Sequence, residues 1–183
     1  VRSRRQRQMC IRDRELMVER MNSDLANTLG NLVNRTISMS NKYFGGVVNN
    51  AGVTEEVDED LKKVVLETQV KASKKMEDLR VADAITEIFT MFKRCNKYID
   101  ETMPWALAKD EEKKARLETV LYNLIESITI GASLLEPFMP ETSKKIAEQI
   151  GADDLSFEST KTFGETKAGT KVGEAVPLFQ RFD

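Results

Sequence analysis

An all-α fold, a bundle of about five helices with a short irregular or β-like C-terminal segment, is what this 183-residue sequence predicts. Three observations carry that expectation. Apolar residues return every three or four positions over four long stretches, the period of a helix with one buried face. Prolines stand at 104, 137 and 140, where those stretches give out; proline removes the amide a continuing helix needs. Apolar character suited to a short strand or an extended packing segment appears only from Ala175 to Phe179, beyond a segment rich in Gly, Thr, Lys and Glu. With 40% hydrophobic and 32% charged residues, the chain suits one well-buried core rather than two equal ones.

The first helix spans Glu15 to Phe44, with Met17, Met21, Leu25, Leu29, Leu32, Thr36 and Met39 on its inward stripe. Gly45, Gly46, Asn49, Asn50 and Gly52 break it. Thr54 is the expected cap of a second helix. Glu55, Glu56 and Asp58 follow at its positive end, then Leu61, Val64, Val65, Thr68 and Ala72 at helical spacing. Val81, Ala84, Ile85, Ile88, Phe92, Cys95 and Ile99 mark the third helix, which Pro104 stops, so that Met103, Pro104 and Trp105 turn a corner. The fourth runs from Glu111 to Leu135 with Leu117, Val120, Leu121, Leu124, Ile128 and Ala132 inward, and the fifth from about Glu141 to Ile150. Gly151 is placed to end it in the left-handed conformation. The bundle thus occupies residues 15–151 and the irregular extension residues 152–183.

Charge divides the chain unevenly. Residues 1–14 hold six arginines and one aspartate, while the remainder holds 22 basic and 29 acidic residues. This first segment, VRSRRQRQMCIRDR, lacks apolar periodicity and reads as disordered. It could serve as a basic arm on phosphate, but its likeness to translated adapter sequence identifies it as a foreign stretch, set apart from the fold. No bulk basic excess remains in the body, so a nucleic-acid contact there must be local and shape-specific.

The composition also excludes chemistry. There is no histidine, which removes the commonest general base and the Ser-His and Cys-His nucleophile pairs. Cys10 and Cys95 are far apart and belong to no Cys-x-x-Cys pair, so neither a metal site nor a disulfide framework is expected. No apolar run approaches the roughly 18 to 20 residues of a membrane span, and no apolar stretch follows the N-terminal arginines as in a secretion signal. A soluble, cytoplasmic chain without catalytic residues or membrane contact is the expectation.

Asn27, Asn31 and Arg35 fall at i, i+4 and i+8, within an arc of roughly 80° over about 12 Å of α-helix. Two amides and a guanidinium can read the hydrogen-bonding edge of an unpaired base. Spacing alone also permits a solvated face or inter-helix hydrogen bonds. Trp105, near a helix end, could stack on a base, although an indole is also a common core anchor. Asn34 lies off the stripe and is left out.

MNSDLANTLGNLVNRT (Met21 to Thr36) and NKYIDETMPWALAK (Asn96 to Lys109), in this order, resemble methionyl-tRNA synthetase, a class I aminoacyl-tRNA synthetase. The likeness covers about Leu16 to Ile150, including LRVADAITEIF and ASLLEPFMPETSKKIAEQIG. It implies the family's anticodon-binding helical bundle, with Asn27, Asn31, Arg35, Pro104 and Trp105 reading the CAU anticodon of methionine tRNA. Asn96 and Asp100 would orient the corner. It further implies that the chain is a C-terminal fragment whose catalytic domain lies in cis, upstream of Glu15. The family's His-containing signature is impossible here, and ASKKM (Ala72 to Met76) is only superficially like its Lys-Met-Ser-Lys-Ser loop. The fragment itself takes no cofactor; ATP, Mg and methionine belong to the parent enzyme. The final PLFQRFD resembles the stretch by which the family's chain leaves the bundle, which implies a downstream domain for homodimerisation. Two alternatives stand beside this reading: the anticodon-binding bundle of another class I synthetase, and a helical scaffold that binds a partner protein.

Overall fold

The structure, a computed structural model, describes residues 13–182; of the segment 1–14 expected to be disordered, residues 1–12 lie outside them, while Asp13 and Arg14 are helical and open the first helix ahead of its expected start at Glu15. Helix α1 (residues 13–44) is continuous but not uniform. From Met21 to Gly30 it widens into a π-helix, so that the Asn31 amide donates to the Ala26 carbonyl five residues back. The Thr28 hydroxyl likewise donates to the Ser23 carbonyl at 3.0 Å. From Asn31 to Phe44 it is α-helical, and Gly45 ends it in the left-handed region. Its first turns differ from the expected stripe, since Met17 is exposed and burial becomes complete only from Leu29.

Helix α2 (Glu56–Glu77) and helix α3 (Val81–Thr102) form an antiparallel hairpin closed at Asp78–Arg80. The cap of α2 is Glu55 rather than Thr54. Glu55 and Asp58 exchange side-chain and backbone hydrogen bonds in a capping box, two residues that satisfy each other's orphan amides. Helix α3 buries Ala84, Ile88, Phe92, Cys95 and Ile99 as the spacing predicts, but Val81 at its start is exposed. Burial pushes the Cys95 thiol up to about 12, so almost no thiolate forms near neutrality. Iodoacetamide should therefore leave Cys95 unmodified in the folded chain and alkylate it in denaturant, as peptide mass spectrometry would register. Rapid native labelling would contradict the burial.

Pro104 does more than stop α3. It is the first residue of a one-turn helix, α4 (Pro104–Leu107), entered through Met103 at φ 44°. Proline suits a first helical position because no partner is needed for its missing amide. A non-glycine residue held at positive φ costs on the order of 1–3 kcal/mol, which the surrounding packing must offset.

Helix α5 (Lys114–Leu135), led in by a 3-10 turn at Glu111–Lys113, is the axis of the bundle. Its predicted inward residues are buried, but so is nearly its whole circumference from Arg116 to Leu135. Gly131 explains how closely α3 approaches, because a Cβ there would collide with the Phe92 ring. Helix α6 (Pro140–Ile150) packs on α5 and ends at Gly151, φ 69°. A side chain at Gly151 would also strike the Lys171 carbonyl, 2.5 Å from the Cβ position.

The C-terminal extension is irregular, and of the two forms expected for Ala175–Phe179 it takes the extended packing segment, with Ala175, Leu178 and Phe179 against the core. The strand of this region is β2 (Thr170–Lys171), antiparallel to β1 (Val47–Val48). Buried Glu126 organises the approach to it: Oε1 accepts the Gly164 and Glu165 amides at 2.9 and 3.0 Å, and Oε2 accepts the Thr166 amide at 3.0 Å and the Thr166 hydroxyl. Ala175–Phe179 continues without sheet pairing, and the tail packs back across α1 through Phe182.

Candidate nucleic-acid interface

Helices α1 and α3 run side by side in the same direction. Going along both, Lys93 Nζ lies 3.4 Å from Asp24, Asn96 Nδ2 donates to the Thr28 carbonyl at 3.0 Å, and Arg35 lies 3.6 Å from Asp100. Asn96 also bonds the Phe92 carbonyl of its own helix at 3.1 Å, so one amide fastens the widened part of α1 to α3. This parallel pairing brings the second half of α1 to the Met103–Pro104 corner.

At the corner the Arg35 guanidinium carbon sits 6.0 Å from the centre of the Trp105 ring, within reach of cation–π attraction. Asp100 flanks the same guanidinium. Pro104 is buried while Trp105 is 42% exposed. The proline thus anchors the short helix and the indole is presented to solvent, not spent as a core anchor. Arg35 is half-buried between its two partners. A flat aromatic face beside a delocalised cation is suited to a stacked base, with the fork of donors at its edge.

Asn27 and Asn31 are exposed on α1 toward a second feature. With Ala26, Gly30 and Asn34 they form one wall of a cleft of about 340 Å³, whose other wall is the tail residues Pro177–Phe179 and Arg181. The expected straight stripe is therefore divided. Arg35 joins Trp105 and Asp100 at the corner, whereas Asn27 and Asn31 face the tail. Asn34, which α-helical spacing excludes from the stripe, lines the cleft with them. Arg181 is the other residue missed by the sequence reasoning. It lies 154 positions from Asn27, to which it donates a hydrogen bond, and no local pattern reports such a pairing.

Beneath the corner lies a charged cluster joining three helices. The Arg116 guanidinium meets both oxygens of Asp58 at 2.8 Å, and the Tyr98 hydroxyl donates to Asp58 Oδ1 at 2.5 Å. Burial opposes charge on Asp58, but the hydrogen bonds from Arg116 and Tyr98 prevail and hold its carboxyl below the usual range. Burial and the neighbouring carboxylate push the Tyr98 phenol up, so it remains a donor. The cluster is enclosed and faces no cleft residue, which makes it a fastening. Among the described residues, no group of three or more His, Cys, Asp or Glu side chains could hold a metal ion. No described helix is long and apolar enough to cross a membrane.

The class these observations define is a helical bundle that presents an indole and a guanidinium at one corner and amides along the adjoining cleft. Residues 48–182 match the family described as the anticodon binding domain of methionyl tRNA ligase. The methionine-tRNA ligase of Clostridium tetani is 47% identical over 169 residues, covering 92% of this chain and 26% of that protein. That of Caldanaerobacter subterraneus is 49% identical over 170 residues, covering 92% and 27%. Among solved structures, free methionyl-tRNA synthetase of Mycobacterium tuberculosis superposes with a TM-score of 0.86 at 32% identity, over 92% of this chain and 34% of that one. The chain belongs to the family of methionyl-tRNA ligase anticodon-binding domains. It spans about a quarter of the length of the curated relatives it matches.

Proposed function

We propose that the α1–α4 corner and the adjoining cleft read the CAU anticodon of methionine tRNA. The observation that carries this reading is the exposed Trp105 face with Arg35 beside it, held by Asp100 and the buried Pro104. A base stacks on the indole while Arg35, Asn27 and Asn31 present hydrogen-bonding groups to base edges. Asn96 and Asp100 are positioning residues, one fastening α1 to α3 and the other flanking Arg35.

On this reading the chain works in the cytoplasm as part of a methionyl-tRNA synthetase that joins methionine to tRNA with ATP. The Ala72–Met76 run lies along α2, with Ala72 in the core, and not on a loop. This reading assigns ATP, Mg and methionine to a catalytic domain in cis, and homodimerisation to a further domain of such an enzyme.

Trp105→Ala and Arg35→Gln should each weaken binding of a CAU-bearing transcript by ~1–3 kcal/mol while leaving helicity intact. Fluorescence titration against CAU and altered-anticodon transcripts tests this. Unchanged affinity in both variants would overturn the reading, and preference for another anticodon would transfer it to a different class I synthetase.

A further inference from the structure

The tail crosses α1 at the site that Asn27 and Asn31 occupy, and it is fixed there at three points. Asn22 donates through Nδ2 to the Phe182 carbonyl at 2.7 Å and accepts the Phe182 amide at 2.9 Å. This pair of bonds ties down the backbone beside Arg181. Upstream, the Phe179 ring lies over Gly30, with Cδ2 3.4 Å from where a Cβ would stand. Between these contacts Arg181 donates to Asn27 Oδ1.

We propose that Arg181 is a positioning residue of the anticodon site, setting which end of the Asn27 amide faces the RNA. This rests on the anticodon reading above. An asparagine amide has one acceptor end and one donor end, and rotation exchanges them. Arginine has only donors. Its bond therefore commits Oδ1 to the tail and turns Nδ2 away from it. Asn27 then offers hydrogen to a base, and so selects a carbonyl oxygen or bare ring nitrogen on the base edge. Without Arg181 the amide samples both orientations, and discrimination falls with affinity. The second wall of the cleft has the same origin, because Pro177, Leu178 and Phe179 close the side of the base opposite α1.

The test is a double-substitution cycle in the 183-residue chain, read by titration with a CAU transcript of methionine tRNA and three transcripts each altered at one anticodon base. Arg181→Met and Asn27→Ala should each lower CAU affinity about 5-fold to 10-fold. The double variant should lose no more than the worse single one. Discrimination against one altered base should shrink by the same factor, while the salt dependence of binding stays as in the parent chain. Losses that multiply, with a salt slope lower by about 0.7 as for a lost phosphate contact to a single strand, would overturn the proposal, as would unchanged affinity in Arg181→Met. Trp105→Ala separates the two levels. If it weakens binding but Arg181→Met and Asn27→Ala show no coupling, the positioning role fails and the anticodon reading stands. If Trp105→Ala and Arg35→Gln are both silent, both readings fail. Arg181→Met should keep the parent's thermal midpoint, so that lost affinity is not lost fold.

Discussion

Arg116→Met should lower the unfolding free energy by about 3–5 kcal/mol, the cost of leaving a buried carboxylate without its cation. Asp58 is fully buried and Arg116 nearly so, and they meet through two parallel bonds of 2.8 Å. The same guanidinium binds the Val53 carbonyl at 3.1 Å and Glu55 at 3.2 Å, so its loss also releases the entry to α2. Tyr98, which shares Asp58, lies on the last turns of α3 just ahead of the Met103 corner. Thermal unfolding followed by circular dichroism measures the loss. Adding Asp58→Asn to Arg116→Met should recover part of it, because the buried charge itself is then gone. A variant as stable as the parent would show that the pair is not a fastening.

The pH dependence of the parent chain has a definite sign. Asp58 is depressed in the fold relative to its usual value near 3.8. Below that value the unfolded chain takes up a proton that the folded chain still refuses, so stability declines as pH falls. The contribution is fully present above the ordinary carboxylate range and is lost as pH passes down through the depressed native value. In Arg116→Met burial acts on Asp58 without its cation, and its proton is held more tightly in the fold. Acidification should then narrow the gap between variant and parent.

The helices were legible because their apolar residues repeat at the helical period and prolines mark their ends. That is why α3, α5, the Pro104 corner and the Gly151 cap stand where the sequence puts them. The π-helical stretch in α1 was not legible, since no residue type marks a widened turn, and its altered rotation per residue changes where Asn27 faces relative to Arg35. The cap of α2 falls one residue beyond the expected Thr54 for a different reason. Thr54 has the preferred side chain, but Asp58 selects Glu55 by completing the box while also serving Arg116, a residue 58 positions away. Asn27, Asn31, Arg35 and Trp105 could be named from the family likeness, whereas Asn34 and Arg181 become visible only when the tail is laid on α1.

Long-range polar anchoring of that kind makes Glu126, on α5, the residue with the most consequence for the C-terminal extension. Its carboxylate is 1% exposed and gathers three backbone amides and one hydroxyl from Gly164–Thr166. Tyr122 adds a bond from its hydroxyl to the Thr166 carbonyl at 3.0 Å. Segment 162–172 has few apolar residues, so these bonds, with Val172 in the core, decide its path to β2. Glu126→Gln keeps the shape but exchanges one acceptor for a donor, turning an NH2 toward groups that are donors themselves. The stranded amides cost roughly 1–3 kcal/mol each when they stay buried, and local release of the segment limits the total to on the order of 3 kcal/mol. Hydrogen exchange should then accelerate at residues 164–172 while the amides of α3 and α5 keep their protection. Because the tail reaches Asn27 by way of β2, the variant should also lose tRNA affinity without any change at Trp105. Loss of protection throughout the bundle would instead make Glu126 a core residue, and unchanged exchange at 164–172 would show that the loop holds its course without it.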